Sequence, residues 1–301
     1  MAEIAPQIPA SRVSMRRVLA ATDFSTLSEK ALRQAISIAR RYHSKFYIVH
    51  VISSWGFNVA GYDAAVEAAK LAQTDLETLV SDLIKSGALK DIDHEIVVAI
   101  GDFWEELRHI ATSFEVDLIV IGTHGRVGME KMVMGSVAES VFRYARRPVL
   151  TVGPCVPDLE SFTSTRGGIL FPTDFSMASV AALPYAISIA NEHGAELTLL
   201  HVVEKEGDES LSGMDSSGSP KDRLRKLAPE NLEFGKAVRV EVVFGEVVGK
   251  VVEFSRDQKS DLIVMGLKSP PAFFADRRPW LHASEIISDA CCPVLTVRYV
   301  T

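Results

Sequence analysis

The chain carries one pattern twice, and no other feature narrows its possible folds as far. Thr22-Asp23-Phe24-Ser25 recurs as Thr173-Asp174-Phe175-Ser176, and Ala35-Ile36-Ser37-Ile38-Ala39 recurs as Ala186-Ile187-Ser188-Ile189-Ala190, both 151 positions on. His50-Val51 and His201-Val202 keep that offset. Farther along, Asp117-Leu118-Ile119-Val120 returns as Asp261-Leu262-Ile263-Val264 at an offset of 144, and Pro148-Val149-Leu150-Thr151-Val152 returns as Pro293-Val294-Leu295-Thr296-Val297 at 145. The fall in offset places a deletion between the second and third strands of the second copy. Matches that run from end to end of each half mark duplication of a whole domain rather than of a short solenoid unit, and 301 residues suit two cores of ordinary size. The expected division is a first domain over 12–153, a linker over 154–166 containing Pro157, and a second domain over 167–301.

Within the first copy, apolar runs (Arg17–Ala21, Lys45–Val51, His94–Ala99, Asp117–Ile121, Pro148–Val152) alternate with helical segments (Ser28–Tyr42, Asp63–Ser86, Phe103–Phe114, Ser136–Arg146). Strands that are apolar along nearly their whole length, each followed by a helix, form parallel sheets covered on both faces. Right-handed crossovers then lead to an α/β protein of two tandem doubly wound domains, each a five-stranded parallel open sheet. Ligands of such sheets lie beyond the carboxyl ends of the strands, where strand order reverses. The residues that follow strands one and four are therefore the candidates.

A net charge of -7 without a long Lys/Arg block argues against sequence-independent nucleic-acid binding. Apolar runs such as Leu118–Ile121 are far shorter than a membrane span, and the first residues do not read as a signal peptide, so the chain is expected to be cytoplasmic. Cys155, Cys291 and Cys292 form no CxxC pair and read as reduced, incidental thiols. His50 and His201 read as structural groups, and the eight histidines have no metal-ligand spacing.

After strand four the chain reads Gly122-Thr123-His124-Gly125-Arg126, continues to Gly135-Ser136-Val137-Ala138-Glu139, and enters a helix. Glycines let the backbone approach a ligand closely, so that successive N–H groups converge on an anion. A helix start adds unpaired N–H groups and a favourable dipole. The spacing Gly122-x2-Gly125-x9-Gly135-Ser136 is neither GxGxxG nor the Walker pattern. With Thr22-Asp23-Phe24-Ser25, the strand ending His50-Val51 and the closing Arg147-Pro148-Val149-Leu150-Thr151-Val152, it resembles the ATP-binding branch of the universal stress protein family. The resemblance extends over nearly all of both halves.

That resemblance implies a Rossmann-like fold of the adenine nucleotide alpha hydrolase type. It implies that Asp23, with Ala21 and Thr22 beside it, holds the adenosine part of ATP, and that main-chain groups of strand two, near Phe46, meet the base. It assigns Gly122, Gly125, Gly135, Ser136 and Val137 to the ribose and phosphates, with Arg126 inside the loop as an added positive charge. The implied cofactor is ATP or another adenine nucleotide, with or without Mg.

Each assignment has a plainer competitor. Asp23 could simply close a strand, but Thr26-x-x-Glu29 already forms a capping box for the next helix. Ser136-x-x-Glu139 is itself a capping box, a role compatible with phosphate contact through the backbone N–H. Arg126 could be a solvated loop charge.

The second copy departs after its fourth strand. Gly266 survives, but Ser269 stands where Gly125 does, and Trp280-Leu281 fall where Gly135-Ser136 stand, with Pro270, Pro271, Phe273, Phe274 and Pro279 between. Bulky side chains obstruct backbone approach, and prolines lack the N–H donor. Asp174 survives, so an adenine-side pocket can persist without a phosphate cradle. The expected function is an ATP-binding stress or regulatory protein with one nucleotide per chain. Its fifth strands would pair as an intrachain pseudo-dimer, open to further homodimerisation and to a protein partner of unknown identity. The alternative is a nucleotide-independent scaffold built on the same pseudo-dimer. No general base, arginine finger or acidic Mg-binding pair stands near the loop, so hydrolysis is expected to be slow or nil.

Overall fold

The computed structural model describes residues 13–54, 62–123, 136–157, 168–204, 218–229, 232, 238–268 and 278–299. The first half runs β1 (Arg17–Ala21), α1 (Thr26–Tyr42), β2 (Lys45–Ser53), α2 (Tyr62–Lys85), β3 (His94–Gly101), α3 (Phe103–Ser113), β4 (Leu118–Gly122), α4 (Ser136–Tyr144) and β5 (Val149–Val152). The second half runs β6 (Ile169–Pro172), α5 (Met177–His193), β7 (Leu197–Val203), α6 (Pro220–Leu227), β8 (Val238–Phe244), α7 (Val247–Asp257), β9 (Leu262–Leu267), α8 (Arg278–Asp289) and β10 (Val294–Arg298). Where the first half has the 24-residue α2, the second has α6 of 8 residues, in the interval that the change of offset marks as shortened.

All ten strands belong to one sheet, in the order β3-β2-β1-β4-β5-β10-β9-β6-β7-β8. Each half is parallel and doubly wound, with its order reversing between the first and fourth strands, β1/β4 and β6/β9. The halves join where β5 and β10 run antiparallel, with Leu150 opposite Leu295 and Thr151 opposite Val294. A parallel sheet needs apolar side chains on both faces, and the central strands supply them: Val18, Leu19 and Ala20 are fully buried, as are Leu170 and Phe171. Alternation along each strand sends Val18, Phe46, Leu150, Phe171 and Leu295 to one face, and Leu19, Tyr47, Val149, Leu170 and Val294 to the other. Each face thus carries one apolar layer that continues from one half into the other. Each large side chain so buried contributes roughly 1.5–3 kcal/mol.

Contacts also cross between the halves away from the sheet. The α1 and α5 carboxyl ends meet, the Tyr42 hydroxyl lying 3.5 Å from His193 Nε2. The Arg41 guanidinium donates to the Glu192 carbonyl. Before β1, the Val13 N–H donates to Ser188 Oγ at 2.8 Å.

Candidate functional site

The carboxyl edge of the first half is shaped by the turn that follows β1. Thr22 leaves the strand with its N–H still bonded to the Val49 carbonyl at 2.8 Å. Phe24 then takes a left-handed conformation, φ 62°, which costs a non-glycine residue on the order of 1–2 kcal/mol. Two contacts offset that cost. The Phe24 N–H donates to Thr22 Oγ1 at 3.1 Å, and its ring lies 4.9 Å from the His50 ring. His50 Nδ1 sits 2.7 Å from the Thr22 carbonyl, a geometry that requires Nδ1–H to donate.

Asp23 is half-buried at the apex, and Oδ1 accepts from the Ser25 N–H at 3.1 Å. Ser25, rather than Thr26, caps α1: its Oγ accepts from the Ser28 N–H at 3.2 Å. The capping box expected from Thr26 and Glu29 does not form: Ser25 is the cap, and its own N–H is taken by Asp23. Ala21 and Thr22 are buried beneath this turn.

Phe46 does not belong to this edge, and the assignment of its main chain to the base is corrected. It is the second residue of β2, paired with Val18 and His94, with its N–H held by the Asp93 carbonyl at 2.8 Å. That is the amino end of a parallel sheet, roughly 10 Å along the strand from Val49 at about 3.3 Å per residue. His50 to Ser53, past the last pairing with β1 at Val49, form the carboxyl end of β2.

Gly122 ends β4 across the β1/β4 crevice from Asp23, and its lack of a side chain has a reason within the fold. A Cβ there would lie 2.9 Å from the Leu27 carbonyl carbon and oxygen, in the first turn of α1. Gly266 is equivalent, since its Cβ would overlap the Ala178 carbonyl at the start of α5. Both glycines serve close packing of strand end against helix, which is why Gly266 persists where the rest of the glycine pattern does not. Gly125, Arg126 and Gly135 lie outside the described residues. Ser136 and Val137 are the first two residues of α4.

The second half repeats the first turn closely. Phe175 has φ 60°, its N–H donates to Thr173 Oγ1 at 3.0 Å, and its ring lies 4.5 Å from His201, whose Nδ1 is 2.8 Å from the Thr173 carbonyl. Asp174 Oδ1 accepts from the Ser176 N–H at 2.9 Å. Desolvation alone would raise the pKa of this carboxyl. Hydrogen bonds from Ser176 and Ser179 and the charge of Lys268 outweigh it and hold the pKa below the usual value.

Beside the turn is a cavity of about 240 Å³ whose lining includes Asp174, His201, Met265, Lys268 and Ile286. At its margin Glu204, Glu246 and His282 each bring a ligand atom within 4.8 Å of the others. These three come from separate elements, so residue spacing could not have revealed them. Glu246 is committed there as the cap of α7, accepting from the Val248 and Gly249 N–H groups at 2.8 and 2.6 Å.

On the β1 side of the crevice a carboxylate, a polar turn and the end of β2 converge. No helix among the described residues is long and apolar enough to cross a membrane.

Comparison with known proteins agrees with this fold. The family model described as the universal stress protein family matches residues 15–153 and again 166–298. One universal stress protein of Methanocaldococcus jannaschii is 32% identical over 140 residues, covering 43% of this chain and 81% of its own length. A second from that organism is 27% identical over 158 residues, covering 46% and 96%. A solved universal stress protein of Archaeoglobus fulgidus shares the two-half fold with a TM-score of 0.66 at 19% identity, over 94% of this chain and 98% of its own.

Proposed function

Because this chain belongs to the universal stress protein family, we propose that it is a stress-response or regulatory protein that binds one adenine nucleotide, ATP in the first instance, in its first half. The observation that carries the reading is the β1/β4 switch point. There the Asp23 turn and the end of β4 flank one crevice, and the chain leaving β4 enters the glycine-spaced segment that ends at α4. On this reading Ala21, Thr22 and Asp23 take the adenosine part. The main chain at Gly122, Gly125, Gly135, Ser136 and Val137 takes the ribose and phosphates, Arg126 adds charge, and Mg accompanies the phosphates. The domains divide at 153 and 167.

The second half keeps the adenosine-side turn and lacks the glycine spacing, so it binds no ATP by the same means. Turnover of ATP is slow or nil, since the sequence around the loop offers no assigned general base or acidic Mg-binding pair. The continuous sheet across β5 and β10 also favours a second reading, a scaffold whose role is independent of nucleotide.

Mass spectrometry of small molecules released from the purified protein, followed by calorimetry with ATP, tests the proposal. Gly125→Val and Gly135→Trp should abolish binding by obstructing the backbone, and Lys268→Ala should leave it intact. Equal loss from all three would remove the site from residues 122–137, and a wild-type chain that takes up no adenine nucleotide would leave the scaffold reading.

A further inference from the structure

The two helices that precede the fifth strands, α4 and α8, end against opposite halves, and they end differently. Arg298, the last residue of β10, reaches across to α4: Nη2 donates to the Phe142 carbonyl at 2.6 Å and Nε to the Ala145 carbonyl at 2.8 Å. Its Nη1 donates to the Lys268 carbonyl at 3.1 Å, just past β9 in its own half. The position that matches Arg298 at the closing offset is Gly153, one residue past β5. A Cβ on Gly153 would lie 2.7 Å from the Ile287 carbonyl and 3.8 Å from that of Ala290. Ile287 and Ala290 are in turn the counterparts of Phe142 and Ala145. The same pair of carbonyls therefore receives a guanidinium under α4 and bare backbone under α8.

We propose that Arg298 is a positioning residue: a cationic spacer by which the second half holds α4, and with it the helix start at Ser136, at the height the nucleotide's phosphates require. The proposal rests on the nucleotide reading of the first half and deepens it. Three donors fixed on carbonyls of two elements leave the guanidinium little freedom. Burial lowers its pKa only to about 10, so it remains charged at neutral pH. A cation at a helix carboxyl end favours the helix electrostatically, and α4 is 9 residues long, so displacement at one end of this short rod carries to the other. Where Gly153 takes the same place, α8 lies directly on the strand end, in the half whose glycine spacing is gone. The second half then has a task without a phosphate site of its own.

Affinities of the full chain for ATP and for adenosine, measured by calorimetry for the wild type, Arg298→Gly and Arg298→Lys, test this. Arg298→Gly should weaken ATP about tenfold or more, the scale of losing charge-assisted hydrogen bonds, while adenosine changes by less than about twofold. Arg298→Lys, unable to span three carbonyls, should fall between. Equal loss of both ligands, or no loss, overturns the proposal. Amide exchange without nucleotide reads the spacing directly: Arg298→Gly should speed exchange over residues 136–145 and leave 278–290 unchanged. If the wild type binds neither ligand, the nucleotide reading has failed, and with it the phosphate task. Faster exchange then still supports Arg298 as the α4 spacer, and unchanged exchange overturns that as well.

Discussion

The turn after the first strand is nearly superimposable in chemistry between the two halves, while the segment after the fourth strand has diverged. Thr22, Phe24 and His50 are matched contact for contact by Thr173, Phe175 and His201, down to the left-handed phenylalanine. Past Gly122 and Gly266, one half continues with glycines and the other with prolines and aromatics. The shared turn is bound into the packing of its own half, since its residues cap a helix, fix a histidine and seat a strand end. It is retained in both halves. The segments past Gly122 and Gly266 differ in sequence, and on the proposed function only the first is bare enough to take a phosphate.

If this contrast is sound, the glycines at the strand ends should matter most, and more in the second half. Gly266→Ala drives a methyl into the Ala178 carbonyl and should cost roughly 3 kcal/mol or more, against about 1–3 kcal/mol for Gly122→Ala, which meets Leu27 less closely. Urea denaturation of both variants measures the difference, and a smaller loss at Gly266 would contradict the packing account.

A smaller effect tests the joint between α1 and α5. Burial foremost, with the Arg41 charge, depresses His193 from its usual 6.5 to about 4. Between those values the unfolded chain binds more protons than the folded one. Stability is therefore complete above pH 6.5 and lost as pH falls toward 4. After allowance for the ring's partial exposure, the loss is about 1–2 kcal/mol. His193→Tyr, which makes this position like its counterpart Tyr42, should flatten that part of a melting-temperature profile against pH.

The smallest effects should come from the matched carboxylates. Asp23→Ala loses the hydrogen bond from the Ser25 N–H, and Asp174→Ala those from Ser176 and Ser179, about 1 kcal/mol apiece by thermal unfolding. Only Asp23→Ala should also lose adenine-nucleotide binding. Comparable loss of binding in both would erase the functional distinction between the halves.

Most of the fold was legible in the residues, because the repeat fixed the domain count and nearly unbroken apolar runs such as Leu118–Ile121 marked buried parallel strands. Of the candidate site, the position of Asp23 in the turn after β1 was legible, because it follows from where that strand ends. Phe46 was misread: the strand was identified correctly but its amino end was taken for the ligand edge. The packing role of Gly122 was hidden because Leu27 lies far away in the sequence. The opposition of Arg298 and Gly153 was hidden for a stronger reason, since it exists only once β5 and β10 have paired.

That pairing has a consequence for how such a molecule can change. In a dimer of identical subunits, a residue near the twofold axis faces its own copy, and any substitution arrives on both sides at once. Here Tyr42 faces His193, its counterpart in the other repeat. Covalent fusion has released each side from mirroring the other, so one half can specialise as support while its twin keeps the older task.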